Sequence, residues 1–161
     1  MTTMQRLWAP WRSAFLLSPT APSHRRCIFC VARRSRDDRT HWVIARGRHA
    51  FAMLNLYPYN NGHVMIAPVR HVGELDALTA AEWAQIGRLS QQLTRRLRTA
   101  LHPHGFNIGM NVGRVAGAGF PGHLHLHLVP RWNGDTNFMP VTGGTKVISQ
   151  SLHELYRLLH R

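Results

Sequence analysis

The residues best suited to chemistry are the three histidines of His123-Leu124-His125-Leu126-His127-Leu128-Val129. In a strand, successive side chains point to opposite faces, so His123, His125 and His127 share one face and the leucines the other. Same-face neighbours lie about 6.5–7 Å apart along the strand, close enough for imidazoles to meet one substrate or one metal. A neutral imidazole carries one lone pair and one N–H. It can therefore attack phosphorus, forming a phosphoramidate while a neighbouring imidazole protonates the leaving oxygen, or it can bind zinc. The motif alone leaves both open.

Two further features carry chemistry. Cys27-Ile28-Phe29-Cys30 is half of a tetrahedral zinc site, a redox pair, or two small core residues. Residues 113–122 contain four glycines and run straight into the histidines. Such a loop lets backbone N–H groups approach phosphate oxygens without side-chain obstruction.

Composition narrows the partners. Twenty basic residues, all arginine except Lys146, stand against seven acidic ones, a formal charge of +13. That sign favours a polyanion such as a nucleotide polyphosphate, a nucleic acid or an anionic surface, and the arginine fork suits phosphate. With so few carboxylates, a two-carboxylate glycosidase or a carboxylate-held magnesium centre is hard to build. No stretch approaches membrane-spanning length and no signal-peptide pattern opens the chain, so a cytoplasmic location is expected. Two cysteines only two residues apart argue against a disulfide framework.

The 161 residues suit one domain. Residues 1–26, with Trp8, Trp11 and Phe15 among prolines, read as an N-terminal arm, and residues 27–161 as a single domain. A tight turn at Cys27–Cys30 and a polar loop follow the arm. Alternation over 41–45 and 50–54 predicts a hairpin around Gly47, and 63–67 a third strand ended by Pro68. Thr79 and Glu82 form a capping box, and Trp83, Ile86, Leu89, Leu93 and Leu97 continue at helical spacing to about Leu101. Residues 106–112 are a fourth strand, the histidine segment a fifth, 133–145 an irregular crossing, and 148–160 a C-terminal helix.

The alternation His-apolar-His-apolar-His-apolar-apolar resembles the signature of the histidine triad (HIT) family of nucleotide hydrolases and transferases. The likeness extends through residues 51–68 and 130–138. With Arg6-Leu-Trp-Ala-Pro-Trp-Arg12, these resemble the bacterial diadenosine tetraphosphate phosphorylase branch. The resemblance implies an α+β, HIT-like fold: a five-stranded, mainly antiparallel sheet with one long helix and a C-terminal helix, assembled as a homodimer.

It also implies roles. His125 matches the nucleophile that takes the nucleotide, His127 the residue that contacts phosphate and bridging oxygen, and His63 the auxiliary histidine that supports the triad. Asn55 and Asn111 match residues that hold ribose and phosphates. Ala118, Gly119, Phe120 and Pro121 occupy the phosphate-binding position, where relatives usually offer a serine, threonine or glutamine. This chain offers none, leaving backbone amides, Asn111 and Arg114. Where relatives carry the Cys pair, zinc is completed by residues matching His71 and His123, implying one structural zinc per chain on Cys27, Cys30, His71 and His123, and no organic cofactor. With few acids available, a backbone carbonyl is expected to orient the second nitrogen of His125.

The implied activity is nucleotidyl transfer on a dinucleoside polyphosphate, with phosphorolysis expected. Alternatives are hydrolysis of dinucleoside polyphosphates or nucleoside phosphoramidates by the same route, a catalytic-zinc hydrolase using all three histidines, and a basic nucleotide- or RNA-binding module. Nucleic acid is not the favoured partner, and no membrane is expected.

Overall fold

The computed structural model describes residues 27–137 and 139–160. The expected arm, with Trp8 and Trp11, lies outside them. Helix α1 (Ile28–Arg34) leads into strands β1 (Val43–Arg46), β2 (Ala50–Leu54) and β3 (Val64–Pro68). Helix α2 (Ala80–Leu101), strand β4 (Gly105–Met110), a 3-10 turn (Arg114–Ala116), strand β5 (Leu126–Arg131), a short helix α3 (Met139–Thr142) and helix α4 (Leu152–Leu159) follow. The sheet order is β1-β2-β3-β5-β4 with every neighbouring pair antiparallel, so the α+β architecture is as expected.

Both faces of the sheet are covered, and alternation decides which residues meet which layer. Ala52, Leu54, Val64, Ile66 and Leu128 pack with Ile86, Leu89, Leu93 and Leu97 of α2 and with Leu155 and Leu159 of α4. Phe51, Met53, Met65 and Ala67 face the other way, onto Phe29 and Ala32 of α1. Every residue of β2 and β3 is consequently buried. Leu124 and Leu128 belong to the α2 side, so the intervening histidines turn toward α1.

Several boundaries differ from expectation. Cys27–Cys30 is the start of a helix rather than a tight turn, with Cys27 as its N-cap residue. Its C-terminal carbonyls are held from a distance: Arg46 Nη2 donates to Ala32 O (2.9 Å) and Ser35 O (3.0 Å), and Arg46 Nη1 to Arg33 O (3.1 Å). Trp83 is 42% exposed. The buried stripe of α2 runs Glu82, Ile86, Leu89, Leu93, Leu97, which puts Trp83 one residue off its phase. Glu82 tolerates burial because Arg70 pairs with both carboxylate oxygens at 2.8 Å while Thr79 completes the capping box. The fifth strand begins at Leu126, not at His123. Ladder pairing to β3 and β4 ends there, and Leu124 N–H instead donates to Val72 O at 2.7 Å. The C-terminal helix starts four residues later than expected, after Ser151, which forms a second capping box with Glu154. The crossing includes the short helix α3.

Candidate active site and metal centre

The three triad histidines are all buried, His123 completely, but they do not face one point. His123 turns its Nδ1 toward Cys27 Sγ (3.3 Å), Cys30 Sγ (3.7 Å) and His71 Nδ1 (3.2 Å), and Cys30 Sγ lies 3.2 Å from His71 Nδ1. The four ligand atoms lie within 4.8 Å of one another. A tetrahedral zinc with two sulfur and two nitrogen ligands has ligand–ligand edges of about 3.3–3.8 Å, so the cluster fits such an ion. The second nitrogen supports the fit. His123 Nε2–H donates to Pro68 O at 3.0 Å, leaving the Nδ1 lone pair directed at the cluster. The four residues expected as ligands are thus brought together, in a set that could hold a metal.

His125 is oriented differently. Its Nδ1 lies 2.9 Å from the carbonyl oxygen of His123, so Nδ1 carries the proton and Nε2 the lone pair. The expected backbone carbonyl is therefore present. Burial pushes the imidazole below its ordinary value and so favours a neutral ring, an effect partly offset by the hydrogen bond to that carbonyl. The ring lies 4.8 Å, centroid to centroid, from that of Phe29 and 4.8 Å from that of His127.

A chain of donors fixes His127. Tyr59 N–H donates to His63 Nδ1 at 3.0 Å, and Asn55 Nδ2 lies 3.3 Å from the same nitrogen. His63 therefore keeps its proton on Nε2, which lies 2.9 Å from His127 Nδ1. Burial, with smaller contributions from His127 and His125, pushes His63 down to about 3; burial and His125 push His127 down to about 4. Both rings are neutral at pH 7, so His127 carries its proton on Nε2. That atom is buried and has no partner among the described residues. An N–H donor without a partner among the described residues is suited to an oxygen of a bound molecule.

The sheet leaves space beside it. His127 pairs with Met65 of β3 and with Gly109 of β4, and paired residues share a face. A Cβ at Gly109 would meet nothing within 4 Å. Asn111 lies beyond that glycine and sends Nδ2 toward Gly117 O at 3.5 Å, tying the end of β4 to the glycine-rich loop. Ala118 is buried and Gly119 exposed, while Phe120 packs edge-on against Phe29 at 6.2 Å. Pro121 is half-buried, and its carbonyl would lie 2.6 Å from a Cβ at Gly73. Asn55 is half-buried, with Oδ1 accepting from Tyr57 N–H at 2.9 Å and its amide nitrogen toward His63.

Residues 36–134 match the HIT domain model. The chain belongs to the HIT family. This HIT chain is 42% identical, over 97% of its own length and 83% of the relative's, to a Mycobacterium tuberculosis protein named AP-4-A phosphorylase. It is 32% identical to a Saccharomyces cerevisiae bis(5'-adenosyl)-triphosphatase, over 58% of the chain and 45% of that protein. Among solved structures it is similar to a zinc-bound histidine triad family protein from Mycobacterium smegmatis, with TM-score 0.65 and 26% identity, covering 83% of this chain and 90% of that one. The fold and family expected from the sequence both hold.

Sequence reasoning missed three contributors. Phe29 was passed over as the spacer of the Cys pair, yet its ring lies against His125. Tyr59 acts through a backbone N–H and Pro68 through a carbonyl, groups every residue type offers. Only the fold reveals which ones face an imidazole.

Proposed function

We propose that this HIT protein is a nucleotide-processing enzyme that splits a dinucleoside polyphosphate by nucleotidyl transfer through His125, with inorganic phosphate as final acceptor. The observation that carries the reading is the opposed pair of tautomers: a lone pair on His125 Nε2 beside an unpartnered N–H on His127 Nε2. His125 Nε2 attacks the α-phosphorus, and the bond to the bridging oxygen breaks with its electron pair leaving on the nucleoside polyphosphate, whose oxygen accepts a hydrogen bond from His127 Nε2–H. Phosphate oxygen then attacks the same phosphorus, the P–N bond breaks, and a nucleoside diphosphate leaves. Asn111 and the backbone amides of residues 118–121 hold phosphate oxygens, and Asn55 the ribose side.

The relative named AP-4-A phosphorylase supports the substrate class. Phosphate as acceptor separates this reading from hydrolysis, which the named triphosphatase relative favours. A catalytic metal on all three histidines is disfavoured, because His125 Nδ1 is engaged by a carbonyl and His123 faces the cysteines. Incubating the protein with diadenosine tetraphosphate, with and without phosphate, decides among these. Phosphate-dependent ADP together with ATP supports phosphorolysis; AMP formed regardless of phosphate overturns it. A labelled nucleotide trapped on His125, and absent from His125→Gln, tests the intermediate.

The metal belongs to the same reading: one structural zinc per chain on Cys27, Cys30, His71 and His123, four protein ligands leaving no position for substrate. Zinc there supplies cross-linking rather than reaction chemistry. Free cysteines reserved for a metal suit a reducing, cytoplasmic setting. Residues 27–161 form the single domain in this reading. The protein is a homodimer through β4, an edge strand whose Ile108 is 53% exposed. Light scattering of wild type and Ile108→Lys tests that assembly.

A further inference from the structure

The Cys-x-x-Cys helix does more than carry two of the ligands. Phe29, between Cys27 and Cys30, is completely buried. Its ring lies 4.8 Å from that of His125 with planes 34° apart, and 5.0 Å from that of His123 with planes 43° apart. Its edge-on contact with Phe120 at 6.2 Å brings it to the loop expected to hold phosphate. One side chain therefore touches a metal-ligand candidate, the nucleophile candidate and that loop.

Among the described residues, the imidazole of His125 is held by one hydrogen bond, from Nδ1 to the carbonyl of His123. A single bond of that kind fixes where Nδ1 lies but leaves the ring able to swing about it. Rotation is limited by the two rings packed against it: His127, at 4.8 Å and 71°, and Phe29, at 4.8 Å and 34°. His127 is itself held by His63. Phe29 is held by its helix, whose first turn is tied to His71 and His123 through the cysteines and whose far end is clasped by Arg46.

We infer that Phe29 is a positioning residue for the nucleophile, aiming His125 Nε2 at phosphorus and linking the metal centre to the rate of nucleotidyl transfer. This rests on His125 being the nucleophile. The ring keeps one face of the imidazole dry and stationary, so the attacking lone pair is aligned before substrate arrives. Its effect falls on the rate of attack, because Phe29 is too deeply buried to touch substrate.

The test uses Phe29→Leu and Phe29→Met, the second unbranched and closer in reach to the native ring. For each, bound metal, KM for diadenosine tetraphosphate and the rapid-quench rate of nucleotidyl-His125 formation are measured. Metal content should match wild type and KM should stay within about 2-fold. Adduct formation should slow by about 10-fold or more, the scale on which misalignment acts. An adduct rate within about 2-fold of wild type, or a loss carried wholly by KM, overturns the inference. Loss of metal from both variants also overturns it, since the ring would then serve only the metal site. If wild type itself forms no adduct on His125, the nucleotidyl-histidine reading fails; if wild type forms it and the variants match its rate, only the role of Phe29 fails.

Discussion

Acid should destabilise this protein through His63 in a way that can be counted in protons. His63 is 1% exposed and lowered to about 3 from an unfolded value of 6.5, first by burial and then by the neighbouring His127 and His125. Between those values the unfolded chain binds a proton at this residue that the folded chain refuses. Stability therefore rises with pH across the window, is fully present above about pH 6.5, and is lost as pH falls toward 3. Taking pH 7 to pH 5, the unfolded residue passes from about one quarter to almost fully protonated while the folded one stays neutral, costing about 2 kcal/mol. At pH 5 the local slope is about 1.3 kcal/mol per pH unit.

The comparison that isolates this contribution is His63→Gln, whose amide N–H can still reach His127 Nδ1 but cannot titrate. His127 is lowered by burial and by His125, so its own contribution should survive the substitution. Urea unfolding of both proteins from pH 5 to pH 7, at fixed free zinc, gives the slope of stability against pH for each. Acid competition for the metal ligands is common to both and cancels in the difference. Wild type should take up about one more proton on unfolding near pH 5 than the variant. Equal slopes would refute the claim that His63 is neutral and proton-refusing in the fold, and the tautomer assigned to His127 would lose its footing.

Other expectations follow from single contacts. Cys30→Ser should lose bound metal and lower the melting temperature, and a chelator should do the same to wild type, both read by metal content and calorimetry; an unchanged melting temperature would count against a structural metal at that cluster. Glu82→Ala removes a buried carboxylate that holds Arg70 and caps α2, and should cost about 1–3 kcal/mol in urea unfolding while leaving kcat unchanged. Gly73→Ala places a methyl 2.6 Å from Pro121 O, so residues 118–122 must shift. It should raise KM for diadenosine tetraphosphate with metal retained, and an unchanged KM would show that this loop does not hold substrate.

The fold was legible where local signals agree with packing. Thr79 and Glu82 announced α2, and its stripe from Ile86 to Leu97 is buried as read. The same signature at Ser151 and Glu154 was also present in the sequence, yet apolar spacing back to Ile148 drew the expected helix too long. Helix α1 was not legible. Its N-cap residue makes no side-chain capping bond, and its far end is closed by Arg46, a contact 11–14 residues distant that only the sheet creates. Alternation put His123, His125 and His127 on one face, and so they lie. What alternation could not convey is that the ladder stops at Leu126, freeing His123 to turn toward the cysteines. The Cys27, Cys30, His71 and His123 grouping came from resemblance, since nothing in residue spacing joins position 30 to position 71.

The scarcity of carboxylates then acquires a mechanistic sense. In many enzymes a carboxylate holds the second nitrogen of a reactive histidine, and its charge raises the imidazole's affinity for a proton. Here His123 is held by Pro68 O, His125 by His123 O, and His63 by the N–H of Tyr59, all uncharged backbone groups. No carboxylate contributes to the shifts of His63, His123, His125 or His127, and burial leads in every case. The outcome is a set of imidazoles each shifted toward the neutral form, with the protons of His63, His123 and His125 on nitrogens chosen by the backbone and that of His127 set by His63. A neutral ring keeps the lone pair that attack on phosphorus requires, and a neutral neighbour can still supply an N–H to the departing oxygen. Under the proposed mechanism, introducing a carboxylate beside His125 would favour the imidazolium and lower the fraction of rings that carry the free lone pair at pH 7.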